Sequence, residues 1–165
     1  MKKVFRLLLL LAGLGLGYWL WGLCCPSPEK LVQRQMARLA TTATFTTHDS
    51  NISRALKISH LTGMFTVDAQ VSLDASGETA RTLNGRDEIR DAARSGLTML
   101  SALKLEFSDV SIRVAPDKLT ADVNCTTRVL MGGSRDMRAE EMHFQLRKID
   151  GSWLISRAET VKTLT

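Results

Sequence analysis

From Leu103 to the carboxyl end the chain alternates apolar and polar residues through four successive segments, and this pattern constrains the fold more than any other feature. Leu103, Leu105 and Phe107 open the first segment, and Ile112 and Val114 continue it past an irregularity near Ser108-Asp109. Leu119, Ala121, Val123, Cys125, Thr127 and Val129 mark the second, Met142, Phe144 and Leu146 the third, and Trp153, Leu154 and Ile155 begin the fourth. Successive side chains of a strand point to opposite faces, so a period of two predicts strands buried on one face and wet on the other. Pro116-Asp117, Gly132-Gly133 and Asp150-Gly151 separate the segments, and the last is a strong hairpin signal.

Upstream the period is helical. Ser27 with Pro28 can cap and start a first helix carrying Val32, Met36 and Leu39 on one stripe. The Thr-rich stretch from Thr41 to Thr47 reads as a helix end plus loop. Asp49 or Ser50 can cap a second helix with Ile52, Ala55 and Leu56 on its inner face, closed by Gly63. The period then changes to two: Phe65, Val67, Ala69, Val71 and Leu73 predict a half-buried strand, with a turn at Ser76-Gly77 and a short return strand from Ala80 to Leu83. After Asn84-Gly85, apolar residues Ile89, Ala92, Ala93, Gly96, Leu97 and Leu100 recur at the spacing of one helix face. The predicted class is α+β, a curved antiparallel sheet with three helices on one face. Three helices cannot cover a strongly curved sheet completely, so a pocket is expected between the layers. A chain of 165 residues, 44% hydrophobic, suits one such domain and leaves little room for a separate cofactor lobe. No cofactor is expected.

Leu7 to Leu23 is a run of uncharged, largely apolar residues preceded by Lys2, Lys3 and Arg6. At ~1.5 Å per residue, about 20 helical residues cross a hydrocarbon core, and counting from Val4 supplies them. Tyr18, Trp19 and Trp21 fall near the far end, where aromatic rings favour the interface, and the basic start should stay inside. Residues 1–25 are therefore expected to form a transmembrane anchor, with 26–165 a domain outside the cytoplasm, on the periplasmic side if the host is bacterial. A lipoprotein signal ending at Cys24 and simple secretion are the alternatives, although Leu23 departs from the usual lipoprotein box. The formal net charge of +5 reflects this start: removing those three cations from 22 Lys and Arg leaves 19 against 17 Asp and Glu. No basic block remains, which argues against nucleic-acid binding. Cys24, Cys25 and Cys125 form neither a disulfide framework nor a metal-ligand spacing, so no metal site is expected.

Three stretches resemble the nuclear transport factor 2-like superfamily, which includes SnoaL-like proteins and ketosteroid isomerases. Phe65-Thr66-Val67-Asp68-Ala69-Gln70-Val71 is similar to its F-x-x-D-A-x-V strand, and Leu83-Asn84-Gly85-Arg86-Asp87-Glu88-Ile89 to its h-x-G-R-E-x-I helix start. Phe144 to Ile155 is similar to its penultimate hairpin, and the three together cover roughly residues 50 to 165. The resemblance implies a cone-shaped, cystatin-like domain with a pocket between helices and sheet, and a fold that often pairs sheet to sheet as a homodimer. Its members include isomerases, cyclases, dehydratases, scaffolds and non-catalytic binding modules.

Phe65, Leu73, Leu97, Phe107, Cys125, Phe144, Gln145 and Trp153 are the expected pocket-lining residues. The resemblance also implies where isomerase acids would stand. The base would fall at Leu73, which takes no proton, with Asp74 one residue further on and hence on the opposite strand face. The acid that donates to the oxyanion would fall at Gln145, an amide, and the family's helix-one tyrosine at Leu39. His60, Asp74 and His143 remain weak catalytic candidates. The reading that follows is a membrane-tethered, non-catalytic domain binding a small apolar ligand or a protein partner. The alternative is a SnoaL-like enzyme transferring a proton through one of those three residues.

Overall fold

The computed structural model describes residues 26–73, 81–132 and 137–161. The expected anchor, Cys24, Cys25, Asp74 and the Ser76-Gly77 turn lie outside them. Among the described residues no helix is long and apolar enough to cross a membrane.

Each helix starts where its first amides find an acceptor. The Ser27 hydroxyl accepts the Lys30 N–H at 3.4 Å, and Pro28, which has no N–H to satisfy, opens helix α1 (Pro28–Ala43). Ser50 caps α2 (Asn51–Gly63) by accepting the Ser53 N–H at 3.2 Å. Helix α3 (Gly85–Met99) begins differently: Glu88 reaches back to accept the Asn84 N–H at 2.7 Å, and Gly85 adopts φ +80. Between α2 and α3 run β1 (Phe65–Leu73) and β2 (Arg81–Asn84). The expected four long strands follow as β3 (Leu103–Val114), β4 (Thr120–Met131), β5 (Met137–Ile149) and β6 (Ser152–Thr160).

The six strands form one sheet in the order β2-β1-β6-β5-β4-β3. Its β3–β6 part is the antiparallel meander, but β1 lies parallel to β6, so the sheet is mixed rather than wholly antiparallel. The β1–β2 hairpin docks on the free edge of the meander's last strand, which runs the same way as β1. In β3 the register shifts between Ser108 and Ser111, with Asp109 at φ 53, which is the irregularity expected there. Asp150 (φ 49) and Gly151 (φ +80) take the left-handed conformations of a tight hairpin turn.

Two local expectations are overturned. Val67 is 75% exposed, because the β1–β6 register shifts between Phe65 and Gln70 and turns the strand over. In α2, Ile52 and Leu56 are 76% and 55% exposed, and Ala55 is exposed with them. The opposite stripe faces inward because Arg54 and Lys57 find acceptors there. Arg54 donates to the carbonyls of Thr46 (3.1 Å), Ser101 (3.3 Å) and Leu97 (3.4 Å) and lies over the Phe45 ring. Lys57 donates to the Thr44 carbonyl at 3.0 Å and Asp49 at 2.8 Å.

The core lies between α1 and the inner sheet face. Val32, Met36 and Leu39 meet Val123, Cys125, Phe144, Leu146 and Ile155, all buried, and Phe107 stands edge-on to Phe144 with centroids 5.7 Å apart. The buried polar side chains among the described residues are Thr62, Thr66 and Thr127. Burial pushes the Cys125 thiol up from its ordinary pKa, opposed by the Thr127 hydroxyl 4.0 Å away.

Two predictions test this packing. A Cβ on Gly132 would stand 2.6 Å from Ser101 Oγ and 2.7 Å from the Ala102 backbone nitrogen, and backbone cannot step aside. Gly132→Ala should therefore destabilise the domain by about 1–3 kcal/mol in a urea titration. In a Cys24→Ser, Cys25→Ser background, Cys125 should react with a thiol reagent about 100-fold more slowly in the folded chain than in urea. Equal rates would show the β4 strand open to solvent.

Candidate functional site

Three hollows border α2 in the described structure, and they differ in chemistry. The first is an apolar cavity of about 120 Å³ where the three helices converge on the start of β3. Ile58 and Leu61 of α2, Leu97 of α3, Leu100 just past its end, and Phe45 and Leu103 form most of its wall. Phe45 reaches this place because its backbone pairs with Leu103 through two 2.9 Å hydrogen bonds, an isolated bridge beside the sheet. Thr44 Oγ1 donates to the Ala40 carbonyl at 2.8 Å and accepts the Leu105 N–H at 3.2 Å, fixing the loop that presents it. One charged residue, Lys57, lines the cavity, and its ammonium is held by Asp49 and the Thr44 carbonyl. Those hydrogen bonds, first from Lys57 and then from the Thr46 N–H, hold the Asp49 carboxyl below its ordinary pKa. Lys57 and Asp49 thus form an ion pair at the cavity wall, with Nζ 2.8 Å from Oδ2. A shallow apolar groove of about 350 Å³ continues beyond Phe45 and Leu103 toward Leu130 and Met131.

The second hollow is an open groove of about 590 Å³ between α1, the end of α2 and the β5–β6 turn. Arg34 and Arg38 line one wall, and Ser59, His60 and Trp153 line the others. His60 is exposed and forms no hydrogen bond or ion pair among the described residues. Trp153 Nε1 is enclosed and has no hydrogen-bond partner among the described residues. The third hollow, about 420 Å³, lies between α2 and α3 and is lined by Arg86, Arg90 and Arg94.

The residues expected to share one pocket are thus dispersed. Leu97 lines the apolar cavity and Trp153 the open groove. Phe65, Cys125 and Phe144 are buried in the core, with Phe107 packed against them. Leu73 is 43% exposed at the end of β1. Gln145 does not face the helices: Val123 pairs with the buried Phe144, which places Asp122, Gln145 and their row on the opposite, polar face. His143 stands on that face too, with Nδ1 2.8 Å from Asn124 Oδ1 and Nε2 3.6 Å from Asp122. His60 and His143 are therefore on different surfaces, and Asp74 lies outside the described residues. No group of three His, Cys, Asp or Glu among the described residues is arranged to hold a metal ion.

Two features escaped the residue patterns. The three α3 arginines have a signal, their i, i+4, i+8 spacing. The Asp49–Lys57 pair has none, since a loop and two helical turns separate its members.

Comparison with known proteins agrees with this architecture. The chain resembles a proposed scytalone dehydratase from Novosphingobium aromaticivorans DSM 12444, with a TM-score of 0.63 and 16% identity over 82% of this chain and 83% of that one. A proposed aromatic ring hydroxylase from Novosphingobium aromaticivorans aligns with a TM-score of 0.66 and 16% identity, over 86% and 93% of the two chains. An NTF2-like protein of unknown function from Pseudomonas putida KT2440 aligns at 0.65 and 12% identity, over 83% and 87%. At such identities the likeness is one of fold. Comparison with curated proteins finds no match. The SnoaL-like domain family model matches residues 41–159, from the end of α1 through β6, and the chain belongs to that family.

Proposed function

We propose that this SnoaL-like domain is a membrane-tethered, extracytoplasmic, non-catalytic module that takes a small apolar ligand into the cavity between its three helices. The observation that supports it most is the chemistry of that cavity. Its wall is aliphatic and aromatic, and its one charge, on Lys57, is held by Asp49 and a carbonyl. Acid–base catalysis needs a group that gains and loses a proton beside the reacting atom. The buried polar side chains of the described residues are three threonines, which do not titrate.

Size sets the affinity. A dry cavity of about 150 Å³ accommodates benzene, so 120 Å³ suits one small ring or a short alkyl end. At about 0.8 kcal/mol per buried carbon, such a group gains on the order of 4–5 kcal/mol, a Kd of roughly 0.1–1 mM. The apolar groove beyond Phe45 and Leu103 offers a longer ligand further surface.

The enzyme reading would place proton transfer in the open groove. His60, Arg34 and Arg38 share its lining, and a free imidazole is a competent base. No described group orients that imidazole, as a catalytic base requires. His60 also falls in the last turn of α2, where a histidine suits the helix dipole without any chemistry.

A substitution separates the two readings. A Cβ on Gly96 meets nothing within 4 Å, although Gly96 lines the cavity, so Gly96→Leu should fill it without displacing neighbours. With the chain in phosphatidylcholine nanodiscs and empty nanodiscs subtracted, fluorobenzene should bind with a Kd on the order of 0.1–1 mM by fluorine NMR. Gly96→Leu should weaken it at least about tenfold and His60→Ala leave it unchanged. Unaltered binding in Gly96→Leu would exclude the cavity, and a turnover abolished by His60→Ala would favour the enzyme. For the tether, the chain should stay with membranes through alkaline carbonate washing, and protease added from outside should digest the domain. A domain found in the soluble fraction would refute that part.

A further inference from the structure

Helix α3 sets Arg86, Arg90 and Arg94 on one stripe, and all three line the 420 Å³ groove that α3 forms with the second half of α2. Like charges four residues apart on a helix repel, so such a stripe is unfavourable unless an anion compensates it. The remaining lining residues, Ala55, Ile58, Ser59, Thr62 and Gly63, bring no carboxylate. The acids that do meet these arginines lie outside the lining. Asp87 is 2.7 Å from Arg90 and Asp91 is 3.7 Å from Arg94, and their side chains are 88% and 76% exposed. Ion pairs that exposed are weak and exchange readily.

Donor capacity remains. Arg86 spends Nε and Nη2 on the Phe65 carbonyl, which fixes the guanidinium and leaves Nη1. Arg90 gives Nη1 to Asp87, leaving Nε and Nη2. The carboxyl end of α2 contributes about half a negative charge at one end of the groove, less than the three full charges along it. Gly63 and Ala55 keep the opposite wall low, and Ser59 adds a hydroxyl.

We propose that the groove between α2 and α3 binds a phosphate-type oxyanion, gripped by the Arg90 and Arg94 guanidiniums with Arg86 as the fixed end of the site. Planar guanidinium forks match phosphate oxygens two at a time, which favours phosphate over a halide or a single carboxylate. The site is separate from the apolar cavity and does not depend on what that cavity takes.

The test is calorimetric titration of the full-length chain in non-ionic detergent with inorganic pyrophosphate. Binding at a Kd of about 1 mM or tighter, weakening as sodium chloride rises, is expected. Arg90→Gln with Arg94→Gln should weaken it by about tenfold or more, and Arg90→Lys with Arg94→Lys should retain part of it. Arg34→Gln with Arg38→Gln, across α2, should leave it unchanged. Arg34, Arg38 and Arg94 are exposed and Arg90 is half-buried, and unchanged circular dichroism would confirm that both variants fold. Soluble dihexanoyl phosphatidate distinguishes the sources: tighter binding than pyrophosphate assigns a lipid headgroup, weaker binding a free phosphate compound. No heat with either probe, or binding lost in the Arg34/Arg38 variant and kept in the Arg90/Arg94 variant, overturns the proposal.

Discussion

The contact on which the rest of the structure depends is the burial of Val32, Met36 and Leu39 of α1 against the inner face of the meander. All three are 4% exposed or less, and they join Val123, Phe144, Leu146 and Ile155 in one cluster. Burying each such side chain stabilises by roughly 1.5–3 kcal/mol, so this seam outweighs any ion pair described here. It also decides where space remains. A helix seated that closely fills the middle of the layer, and an apolar gap remains where α1 ends and α2 and α3 meet β3. The apolar cavity lies there, closed by Phe45, which the isolated bridge to Leu103 holds in place.

This seat accounts for what the strand patterns reveal and what they conceal. Period-two alternation is set residue by residue, and the β4 inner row of Ala121, Val123, Cys125 and Thr127 is buried along its length as the alternation implies. Asp150-Gly151 is legible for the same reason, because its left-handed conformations are a property of two residues. The orientation of α2 is not local. Ile52 and Leu56 make one plausible inner stripe, and Arg54 and Lys57 lie on another. The second stripe turns inward because carbonyls at Thr44, Thr46, Leu97 and Ser101 await donors, and these come from segments up to 47 residues away. Nothing in a helical period reports such acceptors. Val67 fails similarly: a register shift against a distant strand inverts a face that alternation alone would bury.

The candidate site follows that division. Leu97 is legible as a helix-face residue and does line the apolar cavity, whereas Gln145, placed by analogy with a hairpin motif, stands on the outer sheet face. A motif match transfers the backbone, but register decides which face a side chain joins, and one residue reverses it. SnoaL-like membership and the likeness to distant structures therefore establish the scaffold and leave the chemistry to the particular side chains.

Those side chains divide the helical layer by polarity. Within the described residues the interior and the cavity are apolar, and the five arginines that line grooves, Arg34 and Arg38 on one side and Arg86, Arg90 and Arg94 on the other, flank the last turns of α2. Both grooves touch Ser59 and Gly63, so α2 forms a narrow ridge between two cationic walls. An isolated pair of surface charges gains little, but several cations of one sign around a concave wall reinforce one another's field within a Debye length of about 10 Å. The ridge consequently presents an anion with a cationic surface on either flank and an apolar ligand with a neutral cavity toward β3. A molecule carrying both chemistries would meet two distinct parts of the same helix, with Ile58 lining the border between the apolar cavity and the α2–α3 groove.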